Sequence, residues 1–472
     1  MRKELLLVQR IVLAGLLLVS PAAIVQAQSS GDLRVVLAGD ANLHRRLSEY
    51  DDVDYLQLFN HLKTADVRFV NFETLVHPVD APGAAYSGGI HSYAPAWITD
   101  EFKWAGFNLL SVANNHQYDY GSDGLRSSLH ALDEAGLTHA GAGENLAFAR
   151  APVYLDTNHG RVALIAAAST LTPGSWASQQ RTDIRGRIGV NPLRYIATYT
   201  VNEATFNGLS EISRESRRSY FEDGVLGLGR GSGLDEPDKQ TVQYGGAFYR
   251  AGKNIGVRTV ADPDDLEGLL ASVREAHREA DLVIVSIHAH QSKVAEREVP
   301  PDFIVEAAHA AIDAGADIFA VHGPHVIRGI EIYKGKLIFY SLGNFAFDGD
   351  TQPFLPSEPY EGLHLGVNAN TADVFDVITH GEKGGMLNDT TYFESYIAEA
   401  SFGQDHKLKQ IVLNPISLGL GESRAQRGRP RPASPAEAKT ILERTQRLSD
   451  VYGTKIQIVD NRGVIQVDQT GK

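Results

Sequence analysis

Ile318-Phe319-Ala320-Val321-His322-Gly323-Pro324-His325 reads as a buried strand that stops at a tight turn and leaves two imidazoles at its end. The apolar part is too short for a helix, and Gly323-Pro324 ends any regular element. Before it, Asp302 to Ala314 has helical spacing. Before that, Leu282-Val283-Ile284-Val285-Ser286-Ile287 is a second apolar run, halted at His288. After it, Leu337-Ile338-Phe339-Tyr340 continues into Ser341-Leu342-Gly343-Asn344-Phe345. Strand, helix and strand in this rhythm form βαβ units, which need a sheet covered by helices and predict an α/β fold.

The same rhythm occupies the first part of the chain. Leu33 to Ala38 is an apolar run closed by Gly39-Asp40, and Tyr55 to Leu62 has helical spacing. Val67 to Val70 ends at Asn71-Phe72-Glu73, and Phe107 to Val112 runs into Asn114-Asn115-His116. Leu125 to Ala135 reads as a helix stopped by Gly136, Val162 to Ala166 as a strand, and Asp264 to Glu279 as a helix. Residues 170–255 break the pattern, with Gly, Ser, Arg and Thr in excess, and read as a long insertion forming a lid or rim. Its Gly227 to Gly233 stretch is expected to be a surface loop, because no apolar strand precedes it and no Lys-Ser/Thr follows. In the tail, Tyr396 to Ala400 and Gln410 to Leu413 are strand-like, and Arg424 to Pro432 reads as a basic, Pro-rich linker. A helix from Ser434 to Leu448 opens with the capping box Ser434-Pro435-Ala436-Glu437.

Polar, metal-competent groups recur directly after apolar strands: Asp40, Glu73, Asn115-His116, His288, and His322 with His325. In open α/β sheets, ligands bind beyond the carboxyl ends of the strands, so separate stretches of chain deliver these groups to one edge. Taken singly, each has a bland alternative. Asp40 could be a turn residue, Glu73 a solvated charge, the Asn114-Asn115-His116 cluster a helix cap, and His288 a hydrogen-bonded core histidine. Taken together, carboxylate, amide and imidazole suit Mn²⁺, Fe or Zn²⁺ better than Ca²⁺.

Composition narrows the remaining classes. A length of 472 residues calls for one large elaborated α/β domain or for two domains. With 43% hydrophobic and 22% charged residues, the chain is neither a multi-span membrane protein nor wholly disordered. A net charge of −14 sets nucleic acid aside as a partner, since a phosphate-tracking groove needs clustered cations. The absence of cysteine excludes disulfides, thiolate metal sites, a cysteine nucleophile and a lipoprotein anchor.

The N-terminus reads as a cleaved export signal over residues 1–27. Arg2, Lys3 and Arg10 flank an apolar run from Ile11 to Val19, and Val25-Gln26-Ala27 makes a small-residue cleavage site. The competing reading is a membrane anchor, for which the run is short of the roughly 20 residues a span needs. The chain is therefore expected in the periplasm, in the cell envelope or outside the cell.

Longer blocks carry a family resemblance. Asp313-Ala314-Gly315-Ala316-Asp317, His322-Gly323-Pro324-His325-Val326, Gly329 through Lys336, and Tyr340 through Phe345 are similar to the signature of CapA-type poly-γ-glutamate capsule proteins. Ala113-Asn114-Asn115-His116 with Asp119 and Gly121, Asn71-Phe72-Glu73, Gly39-Asp40, and Ala140 through Gly143 with Asn145, Leu146 and Ala149 resemble further blocks of that family. The likeness runs from about Leu33 to Asp348 around the insertion, and Arg427-Gly428 through Ser434-Pro435 and Gly453-Thr454 resemble the family's C-terminal extension.

That family is similar to calcineurin-like metallophosphoesterases. The resemblance implies a four-layer α/β/β/α sandwich: a 33–350 catalytic-type domain carrying the insertion, and a 351–472 extension completing it. It implies one or two divalent ions held by Asp40, Glu73 (bridging), Asn115, His288, His322 and His325, with His116 as proton donor to the leaving group. Two departures stand out. Asn42 occupies the place of the histidine that follows the opening aspartate in phosphoesterases, and Ala289-His290 replaces an aromatic-Gly pair. The implied role is synthesis, processing or export of an anionic capsule polymer such as poly-γ-glutamate, by metal-dependent hydrolysis and alongside membrane components of capsule synthesis. The alternatives are a non-catalytic assembly component, hydrolysis of an unrelated phosphorylated small substrate, and a site reused to bind a small ligand.

Overall fold

The computed structural model describes residues 31–78, 81–216, 240–293 and 295–467. The chain divides into two units, 1–30 and 31–472, and all the described strands and helices belong to the second. The export signal read at residues 1–27 and the glycine-rich stretch 227–233 lie outside the described residues. Among the described residues, no helix is long and apolar enough to cross a membrane.

Two β-sheets face one another, one of ten strands and one of six. In the larger, Leu33–Asn42 runs parallel to Val67–Asn71 and Asn344–Phe347 and antiparallel to Glu394–Phe402. In the smaller, Leu282–His288 lies between Gly160–Ala168 and Ile318–His322, parallel to both. Side chains alternate along each strand, and the alternation sorts the residues into layers. Val35, Leu37, Val67, Phe69, Leu164, Ile284, Ile318 and Ala320 meet in a core between the sheets. Val36, Ala38 and Val70 turn the other way, toward Tyr55 and Phe59 of helix Val53–Leu62 and Ile98 and Phe102 of helix Ile98–Ala105. Val283, Val285 and Ile287 pack on Leu269 and Val273 of helix Pro263–Glu279 and on Phe303 and Ala307 of helix Asp302–Ala314. The result is the expected α/β/β/α sandwich. Each fully buried Leu, Ile, Val or Phe contributes roughly 1.5–3 kcal/mol of transfer free energy to these three cores.

The described residues of the insertion hold regular structure that composition did not predict. Tyr195–Val201, Thr241–Tyr244, Ala247–Ala251 and the adjoining Gly256–Ala261 form a separate four-stranded sheet beside helix Glu203–Ser216. The tail joins the main fold, with Glu394–Phe402, Leu408–Ser417, Gln457–Val459 and Arg462–Gln466 extending the ten-stranded sheet. The expected Ser434 capping box is present at the start of helix Pro435–Asp450.

The stretch Arg424 to Pro432 is not an exposed linker, contrary to the reading from composition. Arg431–Pro432 pairs with the sheet, while Arg427 and Arg429 are buried. Arg427 donates to Asp350 at 2.6 Å, and the Arg429 guanidinium lies 3.7 Å from the Tyr50 ring centre. Distant carboxylates and an aromatic face turn a basic run into packed structure.

One close approach fixes the strand that carries Asp40. The Asp40 N–H donates to the Gly343 carbonyl at 2.9 Å, and a Cβ on Gly39 would lie 1.9 Å from that same oxygen. Gly39→Ala must therefore push the strand off the Leu342-Gly343 turn. A loss of about 3 kcal/mol is expected in urea unfolding, at the upper end of what overpacking costs.

Candidate metal centre

Strand alternation explains how the polar groups converge. Val67, Phe69 and Asn71 share one face of their strand; so do Ile284, Ser286 and His288, and Ile318, Ala320 and His322. Each strand therefore begins apolar on its inner face and ends in a buried polar layer at its carboxyl end, which in Leu282–His288 already includes Ser286. His288 and His322 are register partners, as are Asp40 and Asn71.

Asp40, Glu73, His288 and His322 have no solvent exposure. Asp40 accepts from the Asn71 amide at 2.7 Å on Oδ1 and from the Gly323 N–H at 2.8 Å on Oδ2. His322 Nδ1 stands 3.5 Å and His288 Nδ1 3.7 Å from Asp40 Oδ1. The two Nδ1 atoms are 2.9 Å apart, and the other nitrogen of His322 is engaged by Ser286 Oγ at 2.6 Å. Asp40, His288 and His322 thus offer three donor atoms all within 4.8 Å of one another.

Glu73, His290 and His325 offer a second set of three donors within the same 4.8 Å. Glu73 Oε1 lies 3.8 Å from His325 Nε2, 3.9 Å from His290 Nε2 and 3.5 Å from His288 Nε2. His325 sits at φ 59°, a left-handed conformation that costs a non-glycine residue on the order of 1 kcal/mol or more. Its Nδ1–H donates to Asn344 Oδ1 at 2.8 Å, which leaves the Nε2 lone pair directed to the Glu73 side.

The pocket is electrically incomplete. Both carboxylate oxygens of Glu73 are buried with no hydrogen-bond partner, and so is Asn115 Oδ1. Among the described residues, the ion-pair partners within 4.0 Å of Asp40 and Glu73 are imidazoles, with no Lys or Arg. Burial pushes the Asp40 carboxyl up to about 7 against the pull of Gly323 and Asn71. Burial, then the Asp40 and Asp119 charges, hold Glu73 well above the carboxylate range. Burial also drives His322 down to about 3 and His325 to about 4, so both imidazoles are neutral with a lone pair to give. Buried acids that resist ionising, set among bases that resist protonation, are what a divalent cation relieves. Two carboxylates, an amide oxygen and imidazoles fit Mn²⁺, Fe or Zn²⁺.

His116 stands beside this cluster on the wall of a cleft of about 290 Å³, with Asn115, His290 and His325. Its Nδ1 is 2.7 Å from Asp119 Oδ2, leaving Nε2 as the unengaged ring nitrogen. Asp119 is itself fixed by the N–H groups of Ser92 and Gly88, both at 2.8 Å. Asn114 donates to the Phe72 carbonyl at 2.8 Å, and Asn115 to the Gly88 carbonyl at 2.7 Å.

The structure thus brings Asp40, Glu73, His288, His322 and His325 together, with Asn115 and His116 on the adjoining wall. Reading by motif missed His290 as a member; it lies two residues beyond His288, past the end of the strand Leu282–His288. That reading also missed Asn71, which orients Asp40. Asn42 donates to the Glu73 main-chain carbonyl at 3.2 Å, and His44 turns instead to Ser92 and Asp348. The same cleft carries aromatic and aliphatic side chains, Phe347, Phe375, Leu387, Tyr392 and Phe393, with Phe347 and Tyr392 packed against the His325 ring. Among the described residues, this wall of the cleft comes from Phe347 and the segment following it, and none of the described residues between 170 and 255 lines it.

Residues 34–349 match the family described as bacterial capsule synthesis protein PGA_cap. The chain belongs to that family. The relatives of this PGA_cap protein include the uncharacterized protein y4sH of Sinorhizobium fredii, 35% identical over 92% of this chain and 93% of the relative. The capsule biosynthesis protein CapA of Bacillus anthracis is 28% identical over 69% of this chain and 62% of its own length. The PGA biosynthesis protein CapA of Bacillus subtilis is 29% identical over 51% of this chain and 43% of its own. A phosphatase structure from Mycoplasma pneumoniae aligns over 83% of this chain and 95% of its own, at 10% identity and a TM-score of 0.37, too loose a likeness to carry argument.

Proposed function

We propose that this PGA_cap protein is an exported, divalent-metal-dependent hydrolase acting on an anionic cell-envelope polymer, with poly-γ-glutamate as the substrate class. The observation that carries the metal requirement is Glu73, a buried carboxylate with both oxygens unpartnered among imidazoles, of which His290 and His325 line an open cleft. The substrate class rests on the capsule and PGA biosynthesis names of the Bacillus relatives.

Asp40, Glu73, Asn115, His288, His322 and His325 would hold the ion or ions. A bound divalent ion supplies Lewis acidity toward a carbonyl or phosphoryl oxygen and lowers the pKa of water. The chain's own groups supply the rest. Asn71 and Gly323 fix the Asp40 carboxylate, and Asn344 and Ser286 fix the orientation of His325 and His322. Asp119 orients His116 and stabilises its imidazolium, so that Nε2–H can be given to the departing atom. Phe347, Phe375, Leu387 and Phe393 give the cleft an apolar wall that limits water beside the reacting centre.

The cationic contact for a polyanion falls to the metal centre. The arginines of the 424–431 stretch are already engaged: Arg427 with Asp350 and Glu382, Arg424 with Glu382 and Asp376, Arg431 with Glu422. Export follows from the leader read at residues 1–27 and is checked by sequencing the N-terminus of protein recovered from the cell envelope, which should begin at Gln28.

The test of the activity is a screen of Mn²⁺-loaded protein against γ-glutamyl, phosphomonoester and phosphodiester substrates. Turnover of γ-glutamyl polymer is expected. A metal-loaded chain that turns over none of the three would remove the hydrolase reading. If Glu73→Ala and His322→Ala variants then restored capsule to a deletion strain, a non-catalytic assembly role would take its place. Asn42, standing where phosphoesterases carry a histidine, is the feature that favours that second reading.

A further inference from the structure

We infer that His290 is a resident metal ligand of this chain and, with Glu73 and His325, builds a second ion site beside the one formed by Asp40, His288 and His322. The inference rests on the metal-centre reading above and goes beyond it by naming a ligand that reading did not include. Three observations carry it. The donor atoms of Glu73, His290 and His325 all lie within 4.8 Å of one another, the same span as the first set. His290 Nε2 is 3.0 Å from His288 Nε2, and its ring lies 5.1 Å from that of His325, so it stands between the two sets. Its N–H donates to Thr170 Oγ1 at 2.9 Å, which fixes the backbone just beyond the strand and holds the ring over Glu73.

The competing explanation is a relay of hydrogen bonds with no ion. Ser286, His322, His288 and His290 are spaced at 2.6, 2.9 and 3.0 Å, so one proton per contact would satisfy all three rings. That relay leaves Glu73 untouched. Both its oxygens stay buried without a donor, and protonating the acid only replaces an orphaned charge with an orphaned O–H. Adding a cation at the Glu73, His290 and His325 donors removes the fault. The neighbouring Asn42 donates its Nδ2–H to the Glu73 main-chain oxygen, and its Oδ1 faces Gly349. His290 therefore provides the imidazole on this side of the cleft.

The experiment is titration of the metal-depleted full chain with Mn²⁺ alone, read by calorimetry for stoichiometry and by electron paramagnetic resonance for spin coupling between neighbouring ions. Wild type is expected to take two equivalents with a coupled signal. His290→Ala should keep one, with the second weakened at least about 100-fold, since loss even of a group behind a ligand costs 10–100-fold. His290 is a third exposed, so the substitution should be tolerated; His290→Gln keeps the volume, and melting curves of both report folding. Equal stoichiometry and affinity in wild type and both variants would overturn the inference and leave the metal centre standing. A wild-type chain that binds no Mn²⁺ would overturn the metal centre itself, and this ligand with it.

Discussion

Stripping divalent ions from the protein should lower its melting temperature by on the order of 5–10 °C, and Glu73→Gln should shrink that difference by the share due to the ion at Glu73, His290 and His325. An ion present at about 1,000 times its dissociation constant stabilises the native state by about 4 kcal/mol, and 1 kcal/mol moves the midpoint of a large domain by a few degrees. The sign for the variant is the sharper part. Glu73 is a fully buried carboxyl group with neither oxygen hydrogen-bonded by the protein. An unpaired buried acid is costly, whereas Gln is neutral and brings an N–H₂ group toward the nearby ring nitrogens. Metal-free Glu73→Gln should therefore melt no lower than metal-free wild type, while metal-loaded wild type should melt well above both. Scanning calorimetry of the four samples checks the crossing. A variant that melts lower than wild type in the absence of metal would mean that Glu73 is satisfied by a proton or water, and that no cation is needed.

His116→Ala should reduce turnover by about 10²–10⁴-fold while leaving metal content unchanged, the range that a positioned general acid contributes. The ring nitrogen facing Asp119 is committed at 2.7 Å, and Asp119 is held by two further N–H donors, so the pair is rigid and oriented before substrate arrives. None of the metal-set distances involves His116. A parallel fall in bound metal would make His116 part of the ion site. An unchanged rate would place the proton donor elsewhere on the cleft wall. A substrate series with leaving groups of falling pKa refines the test: the variant's deficit should shrink as the leaving group needs less protonation.

Most of this buried polar cluster was legible because burial and chemistry coincide at the ends of strands. Asp40, Glu73, His288 and His322 each stand at or just beyond the carboxyl end of a largely apolar strand, and a buried parallel strand has no solvent face on which a polar residue could sit by default. His290 escaped because it lies beyond the apolar run, where sequence pattern alone does not show whether the chain continues as strand. The helix Ile98–Ala105 escaped for another reason. It is only eight residues long, with Ile98 and Phe102 as its main anchors, and that is too brief for a helical period to stand out. The strand Val153–Thr157 is half-buried at a sheet edge and shows no clean alternation. The stretch 424–432 misled because composition records the arginines but not the partners folded against them. Asp350 and Glu382 lie more than 40 residues away along the chain and meet Arg427 only in the fold.

Anomalous diffraction from crystals of the full chain grown with Mn²⁺, measured near the manganese absorption edge, decides whether these buried acids and imidazoles hold ions. Two peaks are expected, each at roughly 2.0–2.3 Å from its donors, one among Asp40, His288 and His322 and one among Glu73, His290 and His325. A map with no anomalous density between these side chains, and with His288, His290 and His322 still linked nitrogen to nitrogen, would rule the metal centre out.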